Sequence, residues 1–138
     1  MSAPSVLHES RVGTLCALAD LAGYTLDVQL DARHIPDLTR LHRAAPRLLV
    51  ADAKATEHAV DQGTRHRLIN YALSSRSWLS AGFRVTLMVC HATDPACAWL
   101  ACLERVLEAA GVSKLETSVT QIDALNWVST VSLRLRPA

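Results

Sequence analysis

The sequence predicts an α/β domain with a mixed central β-sheet flanked by helices. Three observations support this. Two apolar runs, "RLLVADAK" (47–54) and "FRVTLMVCHA" (83–92), read as strands covered on both faces. Helix-period segments stand before and between the strands, and Gly and Asp-Pro punctuate the changes. At 138 residues, half of them hydrophobic and 20% charged, the chain suits one folded domain with an ordinary core.

The elements follow in order. Residues 6–22 place Val12, Leu15, Ala19 and Ala22 at helical spacing, with Gly23 as a stop. "YTLDVQLDA" (24–32) alternates, which sets Leu26, Val28 and Leu30 on the buried face of a strand. "HIPDLTRL" is a short strand whose proline suits an edge or a bend. After strand 47–54, residues 57–80 read as a helix with Leu68, Ala72, Ser75 and Leu79 on one side. Strand 83–92 leads to a helix with Asp94 as N-cap, Pro95 in its first turn and Gly111 as stop. "LETSVTQI" and "NWVSTVSLRLR" close the chain as strands.

Composition narrows the function classes. No apolar run approaches the ~18–20 residues that span a membrane. The N-terminus lacks a basic start and an apolar secretory core, which places the protein in the cytoplasm. Cys90, His91, Cys97 and Cys102 match no zinc spacing, and no Gly-x-Ser-x-Gly turn supports a serine nucleophile. Trp78, Trp99 and Trp127 read as core or interface residues. Charge is uneven: between Arg33 and Arg76 there are eight Lys or Arg against four acids, in a chain of net charge +1. Such a basic centre suits a polyanion-facing surface.

The chemistry concentrates at Pro36-Asp37 and Asp52-Ala53-Lys54. Side chains two apart on a strand share a face, so Asp52 and Lys54 point together while Ala53 lets the sheet pack closely behind. A hairpin joining the segments near 36 and 50 would bring Asp37 to Asp52. Two carboxylates suit a hard cation such as Mg²⁺, and an ammonium beside it suits a water and a phosphoryl group.

The pattern "PD…DAK" resembles the PD-(D/E)xK nuclease superfamily, over roughly residues 6–92, with a further helix and strands in 93–138. The resemblance implies a restriction-endonuclease-like core and a Mg²⁺-dependent DNA endonuclease, with Mn²⁺ as a substitute. It casts Asp37, Asp52 and Glu9 as metal ligands and Lys54 as the group that assists the attacking water. The small size is similar to that of Holliday-junction resolvases and compact phage or mobile-element nucleases, which implies duplex or branched DNA as substrate. The Gln-x-x-x-Tyr motif of one branch is absent: Gln62 is followed four residues on by His66. One active site per chain implies a homodimer, with the final strands and the Trp99 helix as its surface. Arg33, Arg40, Arg43 and Arg47, with Arg65 and Arg67 on the next helix, are the candidate DNA contacts. The alternatives are a catalytically silent DNA-binding module and a protein-interaction module on the same fold.

Overall fold

The computed structural model describes residues 3–28, 37–44, 46–53, 70, 73–91, 104–124 and 126–136. Helix α1 spans Ala3–Leu21, and six strands follow: β1 (Tyr24–Asp27), β2 (Leu38–His42), β3 (Arg47–Ala53), β4 (Arg84–His91), β5 (Val112–Gln121) and β6 (Trp127–Leu135). Residues 73–80 (α2) and 104–109 (α3) are helical. The strands form one mixed sheet in the order β1-β2-β3-β4-β6-β5. Among the described residues only the β3–β4 pair is parallel; the other four pairs are antiparallel.

Each face of the sheet has its own core. Alternation along β3 sends Leu48 and Val50 to one side, where they join Val85, Leu87, Val89, Val131 and Leu133 under Leu107, Trp78 and Leu79 of α3 and α2. Leu49, Ala51 and Ala53 face the other side, against Leu15 and Ala19 of α1. The alanines matter here. With no bulk beyond Cβ, they let α1 lie close to the middle of the sheet. Burying a side chain such as Leu48, Leu49 or Leu87, all nearly inaccessible, contributes about 1.5–3 kcal/mol relative to exposure. Trp78 meets Phe83 edge to face at 4.8 Å, which fastens the end of α2 to the start of β4.

The two apolar runs fold as expected, with all of β3 after Arg47 buried. Leu26 does not. It is 53% exposed, because β1 is an edge strand of four residues, at the margin of the sheet. Ala22 likewise falls in the turn after α1, exposed, and leaves the apolar face to Leu15 and Ala19. The fifth strand begins at Val112, three residues before its expected start, directly after Gly111. Gly23 closes the α1–β1 corner at φ 90°, where an added Cβ would lie 2.6 Å from Nε2 of His42. Only glycine fits there.

Candidate active site

The hairpin that the two acids require is present. β2 and β3 pair antiparallel, with Leu38 opposite Ala51. Asp37 and Asp52 stand one step further along the same register, on adjoining segments. Asp52 shares parity with Leu48 and Val50, so it occupies the α2–α3 face, where it is 3% exposed beside Val89 of β4. Asp37 lies one residue before the ladder begins, so its carboxylate is placed by its own hydrogen bond rather than by strand alternation.

Asp37 also closes the hairpin. Its Oδ2 accepts the backbone N–H of Ala53 at 2.8 Å, so a side chain stands in for a carbonyl just past the end of the β2 ladder. A carboxylate has about four lone-pair sites, so this bond is compatible with binding a cation as well. Lys54, the next residue of the chain, lies outside the described residues, as do Arg33, Arg65 and Arg67.

The strand directions gather further residues at this rim. β3 and β4 are parallel, so Ala53 pairs with Cys90 at their carboxyl ends, and antiparallel β6 brings Trp127 to His91. The β5–β6 turn therefore stands at the same rim. So does the N-terminal half of α1: Arg11 Nε donates to Asn126 Oδ1 at 2.8 Å. Asn126 Nδ2 in turn donates to both carboxylate oxygens of Asp123 at 3.0 Å. Arg11 is 2% exposed, a fully buried guanidinium that locks α1 onto the turn. Glu9, two residues earlier on α1, is exposed. Burial pushes the Cys90 thiol above its ordinary value, with the Arg11 charge opposing and the Asp123 charge adding to the effect.

Sequence reasoning named neither Arg11 nor Asn126. Asn126-Trp127 was visible as the start of a strand, but a buried arginine carries no local signal, because helical periodicity cannot tell it from an exposed one. The arginines of the hairpin separate into two kinds. Arg40 is held by Asp20 and by Asp27, the latter at 3.3 Å, with its side chain only 14% exposed. Arg43 and Arg47 are exposed, at the opposite end of the hairpin from Asp37 and Asp52.

Among the described residues, no group of three or more His, Cys, Asp or Glu is arranged to hold a metal ion. Two hard oxygen donors, Asp37 and Asp52, fit Mg²⁺, which is commonly bound through one or two carboxylates with water and substrate phosphate completing its shell. No helix among the described residues is long and apolar enough to cross a membrane. No protein-family model matches the chain, and no curated protein matches it.

Proposed function

We propose that the protein is a Mg²⁺-dependent endonuclease acting on DNA, built on a restriction-endonuclease-like core. One observation supports this above the rest: the β2–β3 hairpin, closed by the Asp37–Ala53 hydrogen bond, which brings Asp37 to the residue after Asp52 at the sheet rim where the chain continues into Lys54. The order of α1, three antiparallel strands, α2 and a parallel β4 agrees with the core of the nuclease superfamily that "PD…DAK" resembles.

In this reading Asp37 and Asp52 hold the cation, and Glu9, exposed on the helix that covers the other face of the sheet, would have to reach round the rim to join them. A bound Mg²⁺ supplies Lewis acidity toward the phosphate and eases deprotonation of water. Lys54 orients the attacking water and offsets charge building on the phosphoryl oxygens. The water's oxygen bonds to phosphorus as the bond to the 3′ oxygen breaks, and the product end keeps a 5′-phosphate. Asp52 is buried on the α2–α3 face, so the β2–β3 hairpin holds its carboxylate in one place before substrate arrives. Two copies of the chain are needed to cut both strands of a duplex or junction. The exposed edge strand β5, with Leu115 62% and Val119 37% accessible, is the surface assigned to that pairing.

The test is cleavage of supercoiled plasmid, linear duplex, single strand and a synthetic four-way junction, with Mg²⁺, Mn²⁺ or EDTA. Metal-dependent cutting is expected, reduced by about 10²-fold or more in Asp52→Asn and in Lys54→Ala. An intact substrate panel with wild-type protein discards the enzyme. Retained DNA binding would then favour the silent module, and light scattering of the same sample reads whether the active species is a dimer.

A further inference from the structure

The rim opposite Asp52 carries an arrangement of its own. Arg47 and Arg84 are register partners in the parallel β3–β4 pair. The β4–β6 register, with Val85 opposite Leu133, puts Arg134 beside Arg84 one step further on. Alternation turns all three to the α1 face: Arg47 has the parity of Leu49, Arg84 that of Cys90, and Arg134 that of Val128. Three neighbouring strands therefore each present an arginine in one lateral row, and all three are exposed.

Among the described residues none of the three forms an ion pair, whereas Arg40, Lys114 and Arg136 each meet a carboxylate. The row lines an open cleft of about 570 Å³ that Thr86 and Ser132 share, and Glu116 is the acid on its described wall. Like charges side by side on a sheet are destabilising, and a sheet built for stability alone intersperses signs. Three exposed positive charges thus face one cleft with Glu116 as the acid beside them, an excess that suits an anion from outside the chain.

We propose that Arg47, Arg84 and Arg134 form a phosphodiester-binding site that takes successive phosphates of one nucleic-acid strand. Two interstrand spacings make the row about 10 Å long at the backbone, and the long arginine side chains can fan from it to neighbouring phosphates of one strand. The planar guanidinium matches phosphate oxygens in pairs, which lysine does not. Arg47 lies five residues from Asp52 along β3, about 17 Å away. The row therefore holds a different stretch or arm of the nucleic acid from the one at the carboxylates. The proposal rests on the nucleic-acid part of the preceding reading and is independent of its hydrolysis.

The experiment is fluorescence anisotropy with a labelled duplex and a labelled four-way junction, in EDTA, between about 50 and 200 mM salt. Arg47→Ala/Arg84→Ala/Arg134→Ala is compared with wild type and with Arg105→Ala/Arg136→Ala, which removes exposed arginines outside the basic centre. Circular dichroism checks the fold, and a triple Arg→Lys variant retains the charge alone. The alanine triple is expected to weaken binding about tenfold or more and to lower the salt slope by two to three, against little change in the control. The lysine triple should restore the slope and only part of the affinity. Equal slopes and affinities in the alanine triple and the control overturn the proposal. So does wild-type protein that leaves nucleic acid unbound, whether or not it binds vesicles of phosphatidylcholine and phosphatidylserine. Because EDTA stops hydrolysis, loss of cleavage with row-dependent binding intact counts against the nuclease alone, and cleavage with row-independent binding counts against this site alone.

Discussion

Asp37 has two duties that substitution separates. Its Oδ2 satisfies the Ala53 N–H, and its charge is the one assigned to the cation. Asp37→Asn keeps an oxygen for that N–H, so thermal stability should stay near wild type while metal-dependent cleavage falls. Asp37→Ala removes the acceptor too and should cost about 1–3 kcal/mol, read by urea unfolding. Equal stability losses in both would show that the charge, not the hydrogen bond, closes the hairpin. Cys90 gives a pH signature. Its folded thiol titrates above the ordinary 9.0, because it is buried, so the native state holds the proton longer than the unfolded chain does. Its contribution to stability is complete below the ordinary value and is lost as pH rises through and beyond it. Unfolding at about pH 7 and pH 10 should show a loss of stability that is smaller in Cys90→Ala. At this scale the acids were legible, because Asp37 and Asp52 stand in a strand-like context. Arg11 was not: burial of a guanidinium depends on Asn126, which lies 115 residues away.

Among elements, the informative contact is α1 against the β5–β6 turn. Arg11, Asn126 and Asp123 make a chain of hydrogen bonds between them, and its middle link is one side-chain amide. Asn126→Ala removes that link and should cost about 1–3 kcal/mol, since the buried guanidinium loses an acceptor. A double-mutant cycle with Arg11→Met checks this: the two losses should be markedly less than additive. Strict additivity would mean that the two side chains act independently. The strands themselves were readable wherever both faces are covered, as in Leu48–Ala53 and Val85–Cys90, because a continuous apolar run then has a single explanation. They were misread at the margin, where Leu26 has strand character without a covering layer. The Arg47–Arg84–Arg134 row was invisible for another reason. It exists only through the registers of strands far apart in sequence, which no local pattern encodes.

For the whole molecule, the sheet is two antiparallel triplets, β1-β2-β3 and β4-β6-β5, joined along the parallel β3–β4 line. Hairpins such as β2–β3 and β5–β6 close over a few residues. The parallel line, by contrast, joins Arg47 to Arg84 and needs a crossover before its first contact forms. The β4–β6 pairing is equally long-range, since it joins His91 to Trp127 and Val85 to Leu133, so assembly should run from the local hairpins outward to β3–β4 and β4–β6. Pulsed hydrogen exchange during refolding is expected to protect the β2–β3 and β5–β6 amides ahead of those shared by β3 and β4. Simultaneous protection would instead mark a single nucleus spanning the line. This has a consequence for the acids. The segments that carry Asp37 and Asp52 adjoin within one local hairpin, so that end of the sheet is among the early events of folding, whereas Arg47 and Arg84 come into register only when the long-range β3–β4 pairing forms.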